Sequence, residues 1–108
     1  MAETNIRKQS NPSATTATTL YTVPASTRTI VSSIRVCNRS ATPTTFRIAI
    51  RPLGAALSNE QYINYDEEIL GNKAYADVTG ITLVATDIVT VYATAATLSF
   101  SLFGVEVT

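Results

Sequence analysis

Hydrophobic and polar residues alternate along most of this chain, and the alternation sets in after residue 16. Leu20-Tyr21-Thr22-Val23 reads as a first strand, closed by Pro24-Ala25-Ser26. Across Thr29–Asn38, a period of two puts Ile30, Ser32, Ile34 and Val36 on one face and Val31, Ser33, Arg35 and Cys37 on the other. Arg39-Ser40-Ala41-Thr42-Pro43 reads as a turn. Phe46, Ile48 and Ile50 then alternate with Arg47, Ala49 and Arg51, a second strong strand signal that Pro52-Leu53-Gly54 ends. Residues 55–61 fit either a short helical turn or a loop. Tyr62–Tyr65 reads as a strand, followed by the acidic run Asp66-Glu67-Glu68 and the turn dipeptide Gly71-Asn72. Ala74–Thr79 is a weaker strand, and Ile81–Leu83 a brief one. Ile88–Thr94 is rich in β-branched residues, and Thr97–Phe103 sets Leu98, Phe100 and Leu102 on one face. Gly104 marks a bulge or bend before Val105-Glu106-Val107.

No stretch shows a sustained helical period. Seven or eight short strands separated by turn signals predict an all-β fold, a single β-sandwich or jelly-roll-like domain over residues 17–108. Residues 1–16 are polar, with Ile6 the only large aliphatic after Met1, and Asn11-Pro12-Ser13 interrupts regular structure. This segment is expected to be an extended N-terminal arm, frayed in isolation or ordered on a neighbouring subunit, with Ile6, Arg7 and Lys8 as its anchoring contacts.

Composition narrows the function. Thr supplies 18 and Ala 14 of the 108 residues, while charged residues make up only 15%. Ordinary soluble domains carry about 25% charge, so the wet surface here consists of hydroxyls and amides, which a partner can dehydrate at lower cost. The formal net charge of +0 argues against a general nucleic-acid footprint. One cysteine and no histidine remove an intrachain disulfide, Cys/His zinc sites and every histidine-based acid–base mechanism. No segment reaches the apolar length of a membrane span, and the N-terminus lacks a secretory pattern. The expectation is a protein made in the cytoplasm that is not an enzyme, with no cofactor, metal, nucleic-acid or membrane partner.

The remaining chemistry lies in charge and aromatics. Arg35, Arg47 and Arg51 fall on the non-core faces of two consecutive strands. If those strands pair, they form one guanidinium patch suited to carboxylates, such as Asp66, Glu67 and Glu68 of a neighbouring copy. The bland alternative is a solvated face with intrachain ion pairs of about 0–1 kcal/mol each. Three consecutive acids on a strand point to alternate faces, a poor geometry for calcium. Tyr21, Tyr62, Tyr65, Tyr75 and Tyr92 fit either core-edge packing or, in the absence of Trp, a minor sugar-binding platform. Cys37 fits a small buried hydrophobe better than an interface residue. Four separated glycines form no phosphate loop.

Thr19–Ala25, Ile30–Asn38 and Thr45–Pro52, continued by Tyr62–Asp66, Gly80–Leu83 and Asp87–Ala93, give the chain a resemblance to small virion proteins of tailed bacteriophages. It covers most of the chain after the arm and is similar in particular to capsid cement (decoration) proteins. What the resemblance implies is a structural protein of the head shell, made in the host bacterial cytoplasm. It would form a homotrimer and bridge subunits of the major capsid protein. A tail, neck or baseplate component is the structural alternative, and a virion-displayed carbohydrate-binding module the alternative of a different class.

Overall fold

The alternation pairs up into two antiparallel sheets. Among the described residues, 2–77 and 80–108 of the computed structural model, there are nine strands. They are β1 (Glu3–Ser10), β2 (Thr18–Thr22), β3 (Arg28–Asn38), β4 (Thr44–Arg51), β5 (Tyr62–Ile69), β6 (Ala74–Asp77), β7 (Ile81–Leu83), β8 (Ile88–Ala93) and β9 (Leu98–Val107). The first sheet runs β1-β9-β3-β6, with β7 also on β3, and the second runs β2-β8-β4-β5. The chain stays in one sheet only between β4 and β5 and between β6 and β7. Every other connection crosses over, which is the winding of a jelly roll. Val78 and Thr79, the end of the weaker strand expected from sequence, lie outside the described residues.

One core fills the space between the sheets. Ile34, Val36, Leu98, Phe100 and Leu102 from the first sheet meet Phe46, Ile48, Val89 and Val91 from the second, all at most 2% exposed. Phe46 packs edge-on to Phe100, with centroids 6.0 Å apart, and lies 5.3 Å from Tyr75. The accessible surface of 5765 Å² matches the roughly 5,800 Å² of a fully compacted chain of this mass.

The parity expected for β3 holds only in its second half. Val31 pairs with Gly104 and Ser33 with Phe103, so Ser32 is an extra residue with no partner. This β-bulge reverses the phase. Thr29 and Val31 enter the core, while Ile30, expected inside, is 46% exposed. Ser32 turns its hydroxyl onto the Phe103 carbonyl, 3.0 Å away. The bulge brings the β3 backbone close to β9, and a Cβ on residue 104 would sit 2.4 Å from the Ile30 carbonyl oxygen. Only glycine fits there.

The segment expected to be a loose arm is, over Glu3–Ser10, an edge strand in register with β9 of its own chain, from Glu3↔Val107 to Ser10↔Phe100. Its polar sequence misled because only Ile6 packs against the core. Such a strand is held mainly by its ladder, and its charges blunt an otherwise open sheet edge.

Two buried polar side chains organise the loops. Asn38, 1% exposed, donates to the Thr42 carbonyl (2.9 Å) and accepts from the Ser40 amide and the Thr97 hydroxyl, fixing the turn that carries β3 into the other sheet. Asp87 accepts the amides of Leu53 (2.8 Å) and Val84 (2.9 Å), which holds Leu53 in a left-handed conformation at φ 53°. A short helical turn, Asn59–Gln61, is closed by a capping box between Ser58 and Gln61.

Tyr21 closes one end of the core. Its hydroxyl donates to Glu106 and lies 2.8 Å from Thr29 Oγ1, which therefore donates to it. Burial, then the hydrogen bond to Glu106, pushes the phenol up to about 12 from 10.0, with Glu106's charge adding and Thr29 opposing.

Gly104→Ala is expected to destabilise the fold by about 3 kcal/mol through backbone overlap, read as a lower urea midpoint at unchanged slope. The Tyr21 value is raised on folding, so its contribution is intact below about pH 10 and lost as the pH rises through about 12. The stability advantage of the native chain over Tyr21→Phe should therefore shrink across that window by up to about 3 kcal/mol, measured by urea titration at stepped pH.

Candidate functional site: an arginine-rimmed sheet face

Register assigns the outward residues of the first sheet to rows. Val107 lies between Glu3 and Arg28; Val105 between Asn5 and Ile30; Phe103 between Arg7 and Ser33; Ser101 between Gln9 and Arg35. Beyond them Ser99 lies beside Cys37, which pairs in turn with Ala74. The result is an apolar strip of Ile30, Phe103, Val105 and Val107, rimmed by Arg7, Arg28 and Arg35. Among the described residues none of these three arginines makes an ion pair or a side-chain hydrogen bond, and Glu3 is the one acid on the face. Where Ser99 and Ser101 replace large side chains the face dips into two shallow open grooves. One of about 340 Å³ is lined by Gln9, Ser10, Asn11 and the β9 serines. The other, of about 320 Å³, is lined by Arg35, Cys37, Ala74 and Phe103. Cys37 is exposed here, contrary to the expectation that it is buried, because the restored parity after the bulge turns it outward.

The single guanidinium patch expected from Arg35, Arg47 and Arg51 does not form. Asn38 and its turn send β4 into the second sheet, so Arg35 lies on the opposite side of the sandwich from the other two. Arg47 is already occupied. Its Nε donates to Asp66 Oδ1 at 2.7 Å, and its guanidinium carbon lies 4.2 Å from the Tyr65 ring centroid and 4.6 Å from that of Tyr92. The hydrogen bond to Asp66 raises the arginine still further above its ordinary value. Asp66 thus pairs within its own chain. Arg51 donates to the carbonyls of Ala55 (2.7 Å) and Gly54 (3.3 Å) and braces the loop after β4.

A bulge builds the Arg47 cluster. Phe46 pairs with Glu67 and Ile48 with Asn64, so Tyr65 and Asp66 together oppose Arg47. Asp66 takes φ 51°, which aims both side chains at the guanidinium. Tyr62 stacks edge-on to Tyr65 with centroids 4.9 Å apart. Glu67 and Glu68 stay exposed on this sheet edge, within β5 rather than after it. Among the described residues no group of acids, histidines or cysteines could hold a metal ion.

From the arm, Arg7 joins the rimmed face, while Ile6 packs against the core and Lys8 leans over the Tyr21 ring. Arg28 and the strip Ile30, Phe103, Val105 were missed in the sequence. Reading β9 at strict period two to its end would have flagged Phe103, Val105 and Val107 as one outward apolar row. No protein-family model, curated protein or solved structure matches the chain.

Arg47→Glu is expected to cost about 1–2 kcal/mol, the loss of one exposed ion pair and two ring contacts. Arg35→Glu should change stability by less than about 0.5 kcal/mol. Urea denaturation of the two variants side by side measures the difference.

Proposed function

We propose that this chain is a non-enzymatic structural protein of a tailed-phage virion, a capsid decoration protein that binds the head shell as a trimer and cements neighbouring subunits. The observation that carries this reading is the outer face of the first sheet. It combines half-buried apolar side chains with three arginines that have no partner among the described residues. Such a face is arranged to meet an apolar surface with an acidic rim, because arginine forks suit carboxylates at a dehydrated contact. With strands about 4.8 Å apart and about 3.3 Å per residue, four strands present roughly 600 Å². That approaches the ~800 Å² each partner gives to a standard interface. The jelly roll is compatible with the reading but hosts many functions, so it adds little by itself.

A carbohydrate-binding module is a second reading, favoured by one observation. Tyr62, Tyr65 and Tyr92 gather on the outer face of the second sheet around Arg47, with Tyr65 57% exposed. Retention on a glycan array, lost in Tyr65→Ala, would establish it.

Cryo-EM of virions containing the chain tests the main reading. Density over the shell, at sites of local threefold symmetry and with the first sheet facing its neighbours, is the expected result. Density in the tail or neck moves the chain to another virion part, and absence from every particle overturns the reading. In particle-binding assays Arg28→Glu/Arg35→Glu should lower occupancy at least tenfold with little change in thermal midpoint.

A further inference from the structure

We infer that the arginine-rimmed face of the first sheet is covered by the acidic β5 edge of a second copy of this chain, in a head-to-tail contact. This contact rests on the reading of the chain as an assembling subunit and specifies which surfaces meet.

The two surfaces are complementary in both charge and apolarity. One side has Arg7, Arg28 and Arg35 around Ile30, Phe103 and Val105. On the other, Glu67 beside Phe46 and Glu68 beside Thr45 leave β5 toward its two faces and both stay exposed at its free edge, with Ile63 (43% exposed), Tyr65 (57%) and Leu70 (54%) along it. Of the exposed large hydrophobics described, Ile30 is the one on the first sheet's face. Ile63, Tyr65 and Leu70 lie on or just beyond β5, Leu53 and Leu57 lie in the segment that precedes it, and Val84 follows β7.

Net charge is zero, so copies approach without overall repulsion, while the separation of signs orients them. A symmetric face-to-face dimer would oppose arginine to arginine, so like charge disfavours it. The backbone of β5 is irregular at two points, between Phe46 and Ile48 and between Ile48 and Ala49 of its partner strand. Those irregularities discourage simple strand addition and leave side chains to make the contact. Because the two surfaces differ, the contact is heterologous and closes into a ring when its rotation fits. Tyr65 and Asp66 are held rigid by Arg47, which presents the edge in one shape.

Light scattering after size-exclusion chromatography, on the full chain at micromolar concentration, tests the contact with three charge variants. These are Arg28→Glu/Arg35→Glu, Glu67→Lys/Glu68→Lys, and the four changes combined in one chain. The native chain is expected at three times 11.6 kDa. Each two-residue variant should fall to monomer, with association weakened roughly tenfold or more. The combined variant should recover the native mass, since both surfaces are then reversed together. A monomeric native chain, an unchanged mass in either two-residue variant, or a folded combined variant that stays monomeric would each overturn the contact. Circular dichroism confirms folding, and Arg28→Gln/Arg35→Gln replaces the reversal where folding is lost. Particle binding by a monomeric native chain would defeat the contact and leave the virion role standing. A ring that never appears on particles would do the reverse.

Discussion

Which side of a sheet a residue occupies depends on parity, and parity in this molecule is set by where single extra residues interrupt the strands. Ser32 is the decisive one. Without it β3 would carry Ile30 inward and Val31 outward, against a core that takes Val31 and Thr29. The same slip would set Val31 beside Val105 and put Thr29, in place of Arg28, beside Val107. The bulge is tolerated because Gly104 lets the two backbones approach and because the Ser32 hydroxyl bonds to the Phe103 carbonyl. In β5 a second interruption turns Tyr65 and Asp66 toward Arg47. Core, arginine-rimmed face and tyrosine cluster thus all depend on local breaks in an otherwise regular pleat.

The winding then separates the charges. Asn38 sits at the crossing from β3 to β4 and commits its buried amide to the turn. Because the chain changes sheets there, arginines only twelve positions apart end on opposite sides of the sandwich. Arg47 and Arg51 become structural, the first bound to Asp66 and two rings, the second to loop carbonyls. Arg35 instead joins Arg7 and Arg28, residues distant in sequence that β9 brings into one surface.

Alternation made the strands from Leu20 onward legible, together with the inward rows Phe46-Ile48-Ile50 and Leu98-Phe100-Leu102, because hydrophobic burial leaves a period-two trace. Backbone pairing leaves no such trace. The edge strand Glu3–Ser10 was therefore hidden: its place is secured by ladder hydrogen bonds that any sequence can make. The bulge at Ser32 was hidden too, since one inserted residue looks like continued alternation until the partner strand is known. For the candidate face, single arginines were visible but their grouping was not. Grouping is a property of sheet order, and sheet order follows from crossings such as the one Asn38 holds.

The energetics of the face favour repetition over single strong contacts. The strip Ile30, Phe103, Val105 and Val107 has on the order of 200 Å² of apolar surface left to bury, or about 5 kcal/mol. Loss of rigid-body freedom on association costs roughly 4–15 kcal/mol. One such contact is therefore marginal unless the arginines find carboxylates, and an arginine dehydrated without a partner subtracts further. In the proposed contact these arginines would act as a filter, weakening any docking that leaves them unpaired and supporting one that supplies acids at their spacing. Under the proposed role the chain would gain useful hold by making two contacts at once in a ring, or many at once over a lattice, because each later contact is formed at high effective concentration.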